Sequence, residues 1–142
     1  MTSVYLDTSV LLPSQIEEPS TSAVDAFLLA SQQDLLVSDL AAAEFVSAVS
    51  RMVRSGIFSA ANAAEELADF EIWRAGTAVS VELHAADARL AYSFLRRFDL
   101  KLRAPDALHL AIVRRVDATL VTLDRRLANA ARALDIAVIQ PA

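Results

Sequence analysis

The chain has 142 residues, 55% of them apolar, with two Gly, four Pro, no Cys and a net charge of −5. One domain with a large core fits this size, while disorder, a disulfide framework, a thiolate metal site and a Cys nucleophile are excluded. The charge is split: residues 1–70 carry two Arg against ten acids, and residues 71–142 carry eleven Arg or Lys against eight acids.

The acidic total argues against a nucleic-acid binder, yet the second half is locally basic. Twelve of the thirteen basic residues are Arg, which suits planar phosphate recognition and equally a base-composition bias. The first residues lack a basic start and an apolar h-region, so no signal peptide is read. No apolar run approaches the roughly 18 residues of a membrane span. A cytoplasmic location is the expectation.

Residues 3–6 read as a first strand that ends at Asp7. Residues 8–16 read as a short helical turn interrupted by Pro13, and residues 17–20 as a break. Ser20 caps a helix to about residue 31, with Val24, Phe27 and Leu28 on one face. Residues 35–37 form a second strand. Ser38 or Asp39 then caps a long helix to Arg54, striped by Phe45, Val49, Met52 and Val53 and ended by Gly56. Ser59 caps the next helix, to Arg74, which Gly76 closes.

Residues 78–83 are a third strand with alternating apolar side chains, and residues 85–98 a helix. A polar loop over residues 99–104 leads to Pro105 and a helix over residues 106–115. Residues 118–123 are a fourth strand, residues 124–134 a last helix and residues 136–139 a fifth strand. Helices between short apolar strands predict one α/β domain over residues 1–142, a mostly parallel five-stranded sheet covered by helices on both faces.

In such a sheet, ligands bind beyond the carboxyl ends of the strands. Asp7 follows the first strand and Asp124 the fourth, so both belong to that edge. Each is also a good helix cap, and Asp106 after Pro105 is a standard helix opening. Glu44 lies inside a helix after three Ala, where small neighbours leave a carboxylate approachable. Four acids from separate elements on one edge suit Mg²⁺ or Mn²⁺, which keep waters and take few protein ligands. Such an ion turns a bound water into a nucleophile and neutralises charge on a phosphate. Neither His follows a nucleophile elbow, so no Ser-His-Asp arrangement competes.

Several segments match a known family. Val4-Tyr5-Leu6-Asp7-Thr8-Ser9, with Glu17-Glu18-Pro19 after it, resembles the start of PIN domains such as those of VapC-type toxins. Ser38 followed by Glu44 resembles the family's second acid on a helix. Asp106-Ala107-Leu108-His109-Leu110-Ala111 and Thr122-Leu123-Asp124-Arg125-Arg126-Leu127 resemble its third and fourth acid segments, in order and over nearly the whole chain.

The resemblance implies a PIN-like three-layer fold and a Mg²⁺- or Mn²⁺-dependent endoribonuclease. Its acidic, metal-holding site would be Asp7, Glu44, Asp106 and Asp124. Thr8 or Ser9, and Thr122, would orient carboxylates or bind a water. The resemblance also implies a homodimer and a neutralising VapB-like antitoxin. Residues 11–14, Leu-Leu-Pro-Ser, replace a stretch that often holds a Lys and aromatic residues, so no substrate contact carries over from there.

Arg125 and Arg126 follow Asp124 directly and are the candidates for contact with RNA. Arg96, Arg97, Lys101 and Arg103 suit either a guiding path or a solvated face. Asp39 and Glu82 are expected near the site. His109 is expected to be a packed or hydrogen-bonded helical residue, His84 is equally bland, and Trp73 and Tyr92 belong to core or dimer surface. Rival readings are a non-catalytic module that kept the fold, which would have lost acids, and a metal-dependent DNA nuclease. A phospho-receiver lacks its Lys after a late strand, and Ser9 breaks the Asp-x-Asp of an Asp-nucleophile phosphatase.

Overall fold

Strands that are apolar on both sides must be covered on both sides, and this requirement arranges the chain. The computed structural model describes residues 3–142. Strand β1 (Val4–Leu6) is followed by α1 (Thr8–Gln15), α2 (Thr21–Ala30), β2 (Leu35–Ser38), α3 (Asp39–Arg54) and α4 (Ala60–Thr77). Then come β3 (Val79–Val81), α5 (Ala85–Leu95), a 3-10 turn at Phe98–Leu100 and α6 (Ala104–Val116). Strand β4 (Thr119–Val121), α7 (Arg125–Ala133) and β5 (Val138–Ile139) complete the fold.

The strands form one parallel sheet in the order β3-β2-β1-β4-β5. Side chains alternate across it. Tyr5, Leu36, Val81 and Leu120 face a core shared with α5, α6 and α7. Val4, Leu6, Leu35, Val37 and Val121 face a second core built with α1, α2, α3 and α4. Strand order departs in opposite directions on the two sides of β1, so the crevice beyond β1 and β4 is the switch point where such sheets take ligands.

Two of the expected caps form: Ser38 Oγ accepts from Ala41 N at 3.0 Å, and Ser59 Oγ from Asn62 N at 3.0 Å; Ser20 precedes α2 without a side-chain cap bond, its hydroxyl donating instead to Glu18 Oε1 at 2.9 Å. Gly56, at φ 81, follows α3 as a left-handed stop. Other boundaries differ from expectation for local reasons. Pro13 does not interrupt α1; its ring is buried, and the next amide bonds resume with Ile16 N on Leu12 O at 2.8 Å. Gly76 lies inside α4, which runs on to Thr77. The third strand is only Val79–Val81, because it pairs with β2 alone at the sheet's edge. Helix α5 stops at Leu95, short of residue 98. The expected loop beyond it contains the 3-10 turn, held by buried Leu100 and left through Lys101 at φ 55.

Phe45 of α3 stacks on Phe70 of α4 at 4.1 Å between ring centroids, both fully buried, and Trp73 extends the stack at 6.3 Å. This stack seats the helix that bears Glu44. Phe45→Ala should lower stability by about 3–5 kcal/mol in urea unfolding. Ile72→Ala, at a position 73% exposed, should change it by less than about 0.5 kcal/mol.

Candidate active site

The register of β1 on β4 pairs Leu6 with Val121, so the next residues, Asp7 and Thr122, meet beyond the strand ends. Asp7 is 5% exposed. A carboxylate cannot be buried without hydrogen bonds, and two hydroxyls supply them. Ser9 Oγ donates to Asp7 Oδ1 at 2.6 Å, and Thr122 Oγ1 donates to Oδ2 at 2.9 Å. The same hydroxyls accept amides of the following turn: Leu123 N reaches Ser9 Oγ at 2.8 Å and Asp124 N reaches Thr122 Oγ1 at 3.0 Å. Asp7 is thereby locked to the β4–α7 turn.

Asp124 caps α7, with Oδ1 accepting from Arg126 N at 2.9 Å and Leu127 N at 3.2 Å. Asp106 begins α6, with Oδ2 accepting from Arg103 N at 3.0 Å. Glu44 Oε1 accepts from Thr8 Oγ1 at 2.7 Å and from His109 Nε2. These three acids thus satisfy the fold with one oxygen each. No partner among the described residues occupies the other oxygen of Glu44, Asp106 or Asp124.

Burial pushes the Asp7 carboxyl above its ordinary value, and the nearby Asp124 charge adds to that. The hydroxyls of Ser9 and Thr122 and the imidazole of His109 oppose the shift without cancelling it. Glu44 goes the other way. Burial would raise it, but the bonds from His109 and Thr8 outweigh burial and hold it below the ordinary carboxylate range.

Asp7 lies near Asp124, and His109 near Asp7 bonds Glu44, yet no three His, Asp or Glu side chains among the described residues stand close enough to hold a metal ion as they are. Carboxylate and hydroxyl oxygens with open positions nevertheless suit a hard divalent cation that keeps several waters. They do not suit structural zinc, which takes Cys and His.

Arg125 and Arg126 are exposed on the first turn of α7. Arg126 lines an open cleft of about 400 Å³ with Asp99, Lys101 and Asn129. Asp39 and Glu82 lie outside the site: Asp39 pairs with Arg74 at 3.5 Å, and Glu82 with His84 at 3.8 Å. His109 is hydrogen-bonded, as expected of a buried helical His, but its partners are Glu44 and Tyr5. Tyr5 and Ser38 complete that connection and went unnoticed in the sequence. A tyrosine inside an apolar strand was the available signal, since a buried hydroxyl must find a partner.

The chain matches the PIN domain family over residues 4–133. No curated protein matches it. Similar solved structures include VapBC2 from Rickettsia felis bound to a promoter DNA fragment, at 16% identity, TM-score 0.72, covering 96% of this chain and 97% of that one. VapC20 of Mycobacterium tuberculosis, a toxin that cleaves the sarcin-ricin loop, aligns at 14% identity, TM-score 0.71, with 90% and 95% covered. A toxin-antitoxin complex from Klebsiella pneumoniae aligns at 16% identity, TM-score 0.70, with 99% and 98% covered.

Asp7 and Glu44 should affect stability with opposite signs. Asp7's folded value lies above its unfolded one, so its contribution is favourable below the ordinary Asp value and is lost as pH rises through the folded value. Asp7→Asn should therefore melt higher than wild type at pH 7 in EDTA, by about 0.5–2 kcal/mol. The gain should shrink as pH falls toward about 3.9. Glu44's contribution is present above the ordinary Glu value and lost as pH falls through its lowered one. Glu44→Gln should melt lower at pH 7 by about 1 kcal/mol. Thermal unfolding across pH checks both; an Asp7→Asn protein that melts lower in EDTA would make Asp7 a purely structural group.

Proposed function

The chain belongs to the PIN domain family, and on that premise we propose that it is a Mg²⁺- or Mn²⁺-dependent endoribonuclease, the toxin of a VapBC-type pair. The supporting observation is the pattern of oxygens: Glu44, Asp106 and Asp124 each use one oxygen in the fold and keep the other unengaged, while Asp7 is buried beyond the strand ends with Asp124 nearby. A module that had lost catalysis would not need all four.

Asp7, with the open oxygens of Glu44, Asp106 and Asp124, would hold the cation. When bound, it supplies a water of lowered pKa and neutralises charge on the phosphate. The protein's own residues orient and select. Ser9 and Thr122 each donate to one Asp7 oxygen and so fix the orientation of the carboxylate. The free Oε2 of Glu44 is placed to orient a water. Arg126, two residues after Asp124, borders a cleft with Lys101, where an Arg fork could grip a flanking phosphate. A VapB-like antitoxin as neutralising partner fits the toxin–antitoxin complexes that share this fold, and a homodimeric assembly is what the family resemblance implies. No helix among the described residues is long and apolar enough to cross a membrane, and a cytoplasmic location accords with an RNA target.

Purified protein should cleave single-stranded RNA in Mg²⁺ or Mn²⁺ and stop in EDTA. Asp7→Asn should lower cleavage by about 10²–10⁴-fold, the scale of a group acting in the transition state, with native far-UV circular dichroism. Full activity in EDTA would end the metal mechanism, and cleavage of DNA alone would reassign the substrate.

RNA binding to Asp7→Asn in Mg²⁺, measured over a salt series, checks the cleft. Arg126→Ala should weaken binding and flatten the log-log salt slope by about 0.7, one phosphate contact on a single strand. Arg54→Ala, bonded to Ser50 on α3, should change neither.

A further inference from the structure

A buried hydrogen-bond chain runs from β2 through β1 to α6 and ends on Glu44. Ser38 Oγ lies 2.6 Å from Tyr5 Oη, Tyr5 Oη lies 2.6 Å from His109 Nδ1, and His109 Nε2 bonds Glu44 Oε1. Tyr5 and Ser38 are fully buried, and His109 is 4% exposed.

The donors can be ordered. Ala41 N–H donates to Ser38 Oγ at 3.0 Å. Glu44 is a carboxylate and only accepts, so His109 Nε2 carries a proton. If the ring is neutral, Nδ1 accepts from the Tyr5 hydroxyl, and Tyr5 accepts the Ser38 hydroxyl proton. Every proton then has one acceptor. Burial raises the Tyr5 pKa, which keeps the hydroxyl a donor.

We propose that Tyr5 and His109 are positioning residues for Glu44: the Tyr5 hydroxyl holds the His109 ring so that its Nε2–H grips Glu44 Oε1 and leaves Oε2 unengaged. The role of Glu44 rests on the nuclease reading; the hydrogen-bond chain does not. Glu44 belongs to α3, on one side of the sheet, and His109 to α6, on the other. The bond therefore ties the second acid to the layer that bears Asp106 and Asp124. Thr8 alone would leave Glu44 free to swing about one hydroxyl contact.

The chain has only two His, so ring ¹⁵N spectra assign both. Wild type without metal should show His109 carrying a proton on Nε2, toward Glu44. Protonation at Nδ1 alone overturns the proposal.

Mn²⁺ affinity, read by titration calorimetry, should fall about tenfold in His109→Leu and in Tyr5→Phe, the lower end of the loss for a partner of a metal-ligating group. His109→Gln, whose amide can donate near the Nε2 position, should stay within about threefold of wild type. In RNA cleavage, the first two should lose about tenfold in kcat with KM nearly constant, and the Gln variant should recover most of it. Unchanged Mn²⁺ affinity in both Tyr5→Phe and His109→Leu overturns the positioning role. If wild type cleaves no RNA, the nuclease reading falls, while the spectra and the Mn²⁺ titration still decide this proposal.

Discussion

Asp7 sets the terms for the rest of the site. It ends the central strand of the sheet, with neighbours on both sides, and it is an ionisable group at 5% exposure. Such a group must be wrapped in donors or remain neutral. The chain supplies donors from two directions, Ser9 from the first turn of α1 and Thr122 from the end of β4. Each of those hydroxyls also holds an amide of the turn into α7, so the buried charge and the path of the chain past it are one construction. Asp124 then falls beside Asp7 because Thr122 fixes the turn that bears it.

The second constraint is that the sheet separates the acids. Asp7 is at its edge, Glu44 belongs to the layer of α1 to α4, and Asp106 and Asp124 begin helices of the opposite layer. The two apolar cores lie on opposite sides of the sheet. His109 reaches across that edge to Glu44, with Tyr5 anchored in the strand behind it. A polar connection at full satisfaction is directional, where apolar packing is not, which suits it to fixing a carboxylate whose placement matters on a sub-ångström scale.

Much of this was legible in the sequence because it rests on local rules. Ser38 and Ser59 cap their helices, the strands are apolar runs ended by acids, and Asp7, Asp106 and Asp124 stand where strands end or helices begin. Two kinds of feature were not. Element ends near residues 76, 83 and 98 depended on edge pairing and on Leu100 finding the core, which are tertiary effects. The Tyr5–His109–Glu44 chain joins residues separated by up to 104 positions, and nothing in local spacing announces it. Conversely, Asp39 and Glu82, expected near the site, pair instead with Arg74 and His84.

The split of charge becomes intelligible at the same edge. An acidic crevice repels a polyanion, and Asp7 already carries the strain of ionising in a buried place beside Asp124. On the proposed nuclease reading, a divalent cation would reverse both effects at once, since it would stabilise the ionised form of Asp7 and turn a repulsive crevice into an attractive one. A guanidinium inside the crevice would instead pair with the acids and fill the open oxygens. Arg125 and Arg126 directly follow Asp124 and are exposed on α7, with Arg126 lining the cleft that also holds Lys101, where a guanidinium fork could meet a flanking phosphate. On that reading, acid within and Arg outside would keep the carboxylates free for a metal while drawing a nucleic-acid backbone toward them, and it accords with a local basic rim on a chain of net charge −5.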